Sequence, residues 1–390
     1  MVTRLRYVVL VTAIAILLAG VGLVSPLRAS TPAVLPTAAN LPGIGHVFII
    51  MLENKSYTEV FGSQASADSA DSYLQKALPA EGALLQNYYG TSHYSHSNYV
   101  TLVSGQPPNA YNQTDCPYFR DFNPTQIDSE GIAHGIGCVF PKTVKTVGDQ
   151  LSASGKSWKA YAESMDSYNG PGLTPGPGCR HPATNGYDPS YSDDWNFVTR
   201  HVPFLYFKAI TESAKCKSLI VDDSKLKGDL ANETTTPNLS FIVPNTCSDG
   251  HDATCVDGST GGLPAINKYL QTAVPQITQS PAFKKDGLLL ILFDEAEFDG
   301  PDESASACCN TPLGPNSVSL GGPVPGPGGG RTGAVAISPF IKPGTISTSD
   351  YNHYSSLRTI EDVFSLAHLG YAARSEVSSF GEDVFTQPRP

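Results

Sequence analysis

Positive charge is scarce in this 390-residue sequence: 25 Lys and Arg face 36 Asp and Glu, a formal net charge of -11. An acidic protein repels nucleic acid and anionic membrane surfaces at long range, so no nucleic-acid binding is expected. The same balance gives no help in holding an anionic ligand unless a metal or local cationic groups reverse the field. No paired C-x-x-C unit occurs, which argues against a thiolate zinc site. Beyond the first thirty residues no apolar run reads as a membrane span, and the sequence carries no internal repeat.

What is present begins with an export pattern. Arg4 and Arg6 precede an apolar run from Tyr7 to Val24, followed by Pro26-Leu27-Arg28-Ala29-Ser30. These are the three regions of a secretory signal, read here as residues 1–29. A retained membrane anchor is the alternative, since the run approaches the length of a short span. Cleavage is favoured because the run ends in small residues, and it leaves no stable transmembrane anchor. It also removes three arginines and no acid, making the mature chain more acidic. The Pro/Ala/Thr stretch 30–42 reads as a linker, and 43–385 as a single domain. The eight cysteines all follow Ser104. Outside the cytoplasm an even count favours disulfides. Proximity makes Cys116–Cys138 and Cys247–Cys255 plausible pairs, while spacing leaves the connectivity open and gives no reading of the adjacent Cys308-Cys309. The chain is expected outside the cell, free or associated with the cell surface.

Short apolar runs at Val47–Leu52, Ala83–Tyr88, Leu239–Val243, Leu288–Phe293 and Ala334–Ile337 read as strands covered on both faces. Val147–Ala153, Leu263–Ala273 and Ser356–Leu369 read as helices, the last with an apolar face of Leu357, Ile360, Val363, Phe364 and Ala367 and a stop at Gly370. Strands alternating with helices predict an α/β fold with a mostly parallel sheet and helices on both faces. The 36 glycines and 31 prolines place long loops between these elements, chiefly at 106–141, 165–200 and 299–331.

In such sheets ligands bind beyond the carboxyl ends of the strands. Glu53 and Asn54 follow the first run. Asp294 and Glu295 follow Leu288–Phe293, with Glu297 nearby. Asn245, Asp249, His251 and Asp252 follow Leu239–Val243. Each acid alone reads as a solvated loop residue or helix cap; the set at equivalent positions reads as a site. Adjacent acids such as Asp294-Glu295 repel unless a cation relieves them. Carboxylate and amide oxygens suit Mg²⁺, Ca²⁺ or Mn²⁺, and a nearby His admits zinc or iron. A second feature, Gly90 to Gly105, turns from an apolar run into a helix starting near Ser97. A hydroxyl there, Ser95 or Ser97, sits at a helix N-terminus, which favours a bound phosphate. Asn98 could add a donor, and ordinary N-capping by either serine is the competing reading. His353 precedes the last helix, where a cation opposes the helix dipole, a mild argument for function. His46, His134, His181, His201 and His368 have no such context and are assigned no role.

In order along the chain, His46-Val-Phe-Ile-Ile-Met-Leu-Glu-Asn-Lys-Ser-Tyr57, Ser95-x-x-Asn98-Tyr99, Ser157-Trp158-Lys-Ala-Tyr161-x-Glu163, Phe241-Ile-Val-Pro-Asn245 with Asp249-Gly-His251-Asp252, Phe293-Asp294-Glu295 and His353-Tyr-Ser-Ser-Leu-Arg358-Thr-Ile-Glu-Asp362 resemble the bacterial phosphoesterase family of secreted acid phosphatases and phosphocholine-preferring phospholipases C, within the alkaline-phosphatase-like superfamily. The resemblance spans about residues 46 to 365. It implies a divalent metal held by Glu53, Asn54, Asp294 and Glu295 with the Ser95 hydroxyl. It also implies a Ser95 nucleophile that forms a phosphoserine intermediate. His93, His251 and His353 would surround the phosphoryl group, Asp252 would orient His251, and Asn98 would hold a non-bridging oxygen. The family usually reads His-Pro-Ser-x-Pro-Asn-Tyr; here Tyr94 and Ser97 replace both prolines. Ser97 is thus a second candidate hydroxyl, and Ser95 is preferred for its three-residue spacing to Asn98.

The expected activity is a secreted, metal-dependent phosphomonoesterase of the acid phosphatase type, acting on phosphoinositides or other small phosphomonoesters; a phospholipid headgroup is a candidate substrate. The compact length favours this over a phospholipase C or phosphodiesterase, whose relatives usually carry further C-terminal domains. A non-catalytic binding protein on the same scaffold is the third reading, opposed by the intact acid, Ser and His set. Sequons stand at Asn54, Asn112, Asn232 and Asn238; Asn54, as a ligand, should carry no glycan.

Overall fold

The run after His46 lacks any polar residue until Glu53 because both of its faces are covered. In the computed structural model, strand β1 (His46–Leu52) is buried throughout. Its alternate residues Val47, Ile49 and Met51 enter one core, and Phe48, Ile50 and Leu52 enter the other. The structure describes residues 41–62, 73–192, 194–298, 306–317, 319, 321–322 and 326–386. The expected signal, 1–29, lies outside these residues, as does the linker 30–42 apart from its last two positions and part of the 299–331 loop.

The further strands of the central sheet are β2 (Ala83–Leu85), β3 (Trp158–Ala162), β4 (Ile220–Asp222), β5 (Leu239–Val243), β6 (Gly287–Phe293), β7 (Ala334–Ile337) and β8 (Thr345–Ser347). They lie in the order β8-β2-β7-β6-β1-β5-β3-β4. Only β7 pairs antiparallel with its neighbours β6 and β2; every other pairing is parallel. The sheet is therefore mostly parallel, and the carboxyl ends of β6, β1, β5 and β3 gather along one edge. Helices α1 (Ser95–Ser104), α2 (Val147–Ala153) and α4 (His353–Val363) cover one face through residues such as Val100, Leu151 and Leu357. Helix α3 (Gly262–Thr278) covers the other through Ile266, Leu270 and Ile277. Burial from both sides is what makes these strands continuous hydrophobic runs. Leu290 in β6 is fully buried, so Leu290→Ala is expected to lower unfolding free energy by about 2–5 kcal/mol in a denaturant titration.

Several boundaries differ from expectation. The run Ala83–Tyr88 is not one strand: β2 ends at Leu85, and Tyr88–Tyr89 pairs with Tyr351–Asn352 in a separate small sheet. β3 and β4 are strands that apolar runs did not mark. Lys159 interrupts the first and pairs with Asp229 at 2.6 Å, and the second is a three-residue edge strand. Helix α4 begins earlier and ends earlier than Ser356–Leu369. Asn352 accepts from the Ser355 amide at its start. At its end Ser365 turns left-handed (φ 54), and the chain folds back so that the Leu369 amide donates to buried Glu361. The polar start and the local turn outweigh the apolar periodicity beyond Val363.

Cysteines pair as Cys116–Cys138, Cys179–Cys216, Cys247–Cys255 and Cys308–Cys309, leaving no free thiol among the described residues. Such a set is consistent with an oxidising compartment. No helix of the described residues is long and apolar enough to cross a membrane.

Candidate active site

Register builds the site. β1 lies between β5 and β6, and Leu52 pairs with Phe293, so the next residues, Glu53 and Asp294, leave the sheet side by side. Asn54 turns off in a left-handed conformation (φ 52), which Asn tolerates better than most residues. Its amide donates to Asp294 Oδ1 at 3.0 Å. Lys55 Nζ donates to the Asn54 carbonyl at 2.9 Å and pairs with Glu297 at 2.5 Å, holding this turn from the far side. The Glu53 amide donates to the Asp249 carbonyl at 3.0 Å, tying in the loop after β5.

Helix α1 delivers the hydroxyl. Tyr94 precedes it at φ 71, a costly conformation for a residue with a side chain, and such strain gathers at functional sites. Ser95, the first helical residue, donates from Oγ to Glu53 Oε2 at 2.7 Å. One turn on, Tyr99 donates to Glu53 Oε1 at 2.5 Å. Ser97 instead donates back to the Tyr94 carbonyl at 2.8 Å and does not line the cavity. Asn98 corrects an expectation. Its Oδ1 accepts from the Thr91 amide, the Thr91 hydroxyl and the Ser92 amide, and its Nδ2 donates to the Ser92 and Tyr94 carbonyls. The amide is fully occupied in bracing the turn before Ser95, so it has no donor left for a phosphoryl oxygen. Nor is the helix N-terminus open at every position: the His96 amide donates to Asp115 Oδ1 at 2.9 Å.

The histidines divide in the same way. His251 is partly exposed at the cavity, with Nδ1 2.8 Å from Asp252 Oδ1 and Nε2 3.3 Å from the Arg200 guanidinium. Burial tends to raise Asp252, but the bonds from His251 and Thr246 prevail and hold its carboxyl below the usual range. His93 is buried against the Glu295 carboxylate, its ring edge-on to Phe298. His353 does not face the cavity. Its Nε2 donates to the Asp294 carbonyl at 2.6 Å, and its Nδ1 accepts from Tyr88 at 3.1 Å. Burial holds it neutral, its pKa lowered to about 4. It opens helix α4 without opposing the dipole, as a brace for the end of β6.

Four functional candidates escaped the sequence, and a fifth, Asp249, stood among the strand-end acids without a role of its own. His201, which had no assigned role, lies with Nδ1 3.1 Å from Asp249 Oδ2 and Nε2 3.4 Å from Glu53 Oε1. It sits in a single turn, Thr199–His201, inside a long loop, where no strand end marks it. Arg200 beside it approaches Asp115 at 3.8 Å. Asp249 and Tyr99 stood inside motifs without a role. Asp115 precedes Cys116, and nothing local distinguishes it. Of the remaining histidines, His96 packs beside the site against Tyr206, its Nδ1 3.4 Å from the Arg200 carbonyl, while the others are elsewhere, with His46 on Asp286, His134 on Asp128 and His368 on Asp362, and His181 against a Pro182 carbonyl.

These residues surround a cavity of about 350 Å³ lined by Asn54, Tyr94, Ser95, Asp115, His251 and Glu295, with Glu297 and Phe298 at its rim. Buried acids crowd behind this lining, Glu53 in contact with Ser95. Burial raises Glu53 well above the usual carboxylate range, with the Asp294 and Asp249 charges adding to it. Burial pushes Asp294 up to about 6 and raises Glu295, with Asp294 and Asp115 adding. Asp294 Oδ2 is buried without a hydrogen-bond partner. A cluster of buried, mutually repelling oxygens with an orphaned acceptor fits a divalent cation. The Ser95 hydroxyl beside it suits attack on an electrophile in the cavity.

A sequence profile of the Phosphoesterase family matches residues 68–367. An acid phosphatase of Aspergillus fumigatus is 24% identical over 336 residues, covering 85% of this chain and 58% of that protein. A phosphatidylinositol-3-phosphatase of Mycobacterium tuberculosis is 20% identical over 346 residues, covering 89% and 85%. The chain spans less than two-thirds of the fungal relative's length. Among solved structures, a protein of the alkaline phosphatase superfamily from Vibrio parahaemolyticus is similar at 13% identity with a TM-score of 0.48, over 91% of this chain and 76% of that one.

Proposed function

The chain belongs to the phosphoesterase family, and on that footing we propose that it is an exported phosphomonoesterase of the acid phosphatase type, working through a phosphoserine on Ser95. One observation carries the reading: the Ser95 hydroxyl stands 2.7 Å from Glu53 at the carboxyl edge of the sheet, facing a cavity sized for a phosphoryl group and a small leaving group. The hydroxyl proton points at Glu53 Oε2, so the free lone pairs of Oγ are available for attack on phosphorus.

Glu53, Asn54, Asp294, Glu295 and Ser95 are the residues that would hold the divalent cation. When bound, that ion supplies positive charge for the phosphoryl oxygens and lowers the pKa of the Ser95 hydroxyl. The chain's own groups do the rest. His251, fixed by Asp252 and with Nε2 accepting from Arg200, lines the cavity, where the Arg200–His251 pair stabilises charge on the phosphoryl group. Arg200 also keeps the His251 ring at the cavity wall. His93 orients Glu295 from behind. His353 and Asn98 act through others: the first positions Asp294, the second the turn that presents Ser95.

The Mycobacterium relative supports phosphoinositides as a substrate class; the disulfides support export. The alternative is a phospholipase C or phosphodiesterase, which needs room for a second ester substituent. Comparison of p-nitrophenyl phosphate with p-nitrophenyl phosphorylcholine separates the two. The monoester is expected to give a kcat/KM at least about tenfold higher, a 1.4 kcal/mol preference in the transition state. Faster turnover of the choline diester would replace the phosphatase by the alternative.

A further inference from the structure

Glu53 faces a nitrogen that has no hydrogen-bond partner. His201 Nδ1 lies 3.1 Å from Asp249 Oδ2. A carboxylate oxygen only accepts, so in the neutral ring Nδ1 carries the proton and Nε2 presents a lone pair. That Nε2 is buried and unpartnered. It faces Glu53 Oε1 at 3.4 Å, an oxygen that already accepts from Tyr99. Two lone pairs opposed in a dry site repel, and a cation touching both removes the conflict.

The ring has little freedom to turn away. It stacks flat on Tyr99, with centroids 5.2 Å apart and planes within 4°, and it is 1% exposed. Glu53, His201 and Asp249 each offer an atom within 4.8 Å of the others. A carboxylate on the far nitrogen of an imidazole is the usual support of a metal-bound His: it fixes the tautomer and ring orientation and raises the basicity of the ligating nitrogen.

We propose that His201 is a metal ligand through Nε2, joining Glu53 at the cation, with Asp249 as the carboxylate that orients it. The inference rests on the reading of Glu53 as a metal ligand. It adds an imidazole nitrogen to a donor set of oxygens, which turns the preference away from Ca²⁺ and Mg²⁺ toward ions such as Mn²⁺, Fe²⁺ or Zn²⁺.

Mn²⁺ added to the metal-free full chain tests this by electron spin echo envelope modulation, which reads nitrogen bound to manganese. The expected result is an imidazole nitrogen coupling in the wild type that is absent from His201→Gln while Mn²⁺ still binds. Asp249→Asn is expected to bind Mn²⁺ about 10- to 100-fold more weakly. Mn²⁺ bound without nitrogen coupling, or coupling that persists in His201→Gln, overturns the inference and leaves the metal reading of Glu53 standing. A wild-type protein that binds no Mn²⁺ overturns both. If His201→Gln does not fold, His251→Gln decides: coupling retained there supports His201, and coupling lost there assigns the nitrogen to His251 and overturns the proposal.

Discussion

Ser95→Ala is expected to lower kcat/KM on a phosphomonoester by at least about 10³-fold, or ~4 kcal/mol of transition-state stabilisation, with the protein folded and its cavity intact. The substitution removes one oxygen from a residue whose hydroxyl donates to Glu53 Oε2, so little packing is lost. What disappears is the atom proposed to attack phosphorus. Residual rate reflects binding and electrostatics alone, since nucleophile deletions leave such a remainder. Acid quench of the wild type during turnover should trap a phosphorylated peptide containing Ser95, detected by mass spectrometry and absent from the variant. Ser97→Ala is the internal control. Its hydroxyl turns back to the Tyr94 carbonyl, and its loss is expected to change turnover by less than about tenfold, one helix-turn hydrogen bond being worth ~1 kcal/mol. An active Ser95→Ala beside a dead Ser97→Ala would move the nucleophile two residues along the chain.

Glu53→Gln carries the second large effect, on metal and stability together. The change keeps shape and removes charge. It is expected to weaken divalent-metal binding by more than about 10²-fold, beyond the effect of outer-shell substitutions, and to reduce turnover below about 1% of wild type, ~2.7 kcal/mol. Elemental analysis of the purified proteins checks the first and steady-state kinetics the second. Stability should move the other way without metal. Burial and the neighbouring Asp294 and Asp249 raise the Glu53 carboxyl in the folded protein above its unfolded value. A raised carboxyl costs stability once the unfolded chain ionises, so stability falls as pH climbs from the ordinary Glu range through the folded value. At neutral pH the metal-free Glu53→Gln protein should therefore melt higher than metal-free wild type. Added Mn²⁺ should raise the wild-type Tm by mass action and leave the variant nearly unmoved. An unchanged metal content in Glu53→Gln would remove Glu53 from the ligand set.

The architecture was readable where local physics and global packing agree. Val47–Leu52 and Leu288–Phe293 are apolar along their whole length because helices cover both faces of the sheet, and this property is written in the chain one residue at a time. The rule that sites form beyond strand carboxyl ends then picked out Glu53, Asn54, Asp294, Glu295 and His251, the helix N-terminus offered Ser95 or Ser97, and the resemblance favoured Ser95. Readability failed where a residue's partner is distant. Asn98 has the spacing of a substrate-binding amide, yet its turn takes every donor and acceptor it has. His353 has the look of a functional residue at a helix start, yet both its nitrogens are bonded within the protein.

The sequence by itself determined the α/β class, the central strands, the acids at their ends and the hydroxyl beside them, because each depends on periodicity and on residues within one element. Only the tertiary structure decided the register that sets Glu53 against Asp294, the choice of Ser95 over Ser97 as the hydroxyl facing Glu53, and the arrival of His201 from a loop 148 positions away to meet Glu53. Hydrogen-bond capacity is a property of a side chain, but whether it is occupied depends on which neighbours folding brings, and no spacing along the chain records that.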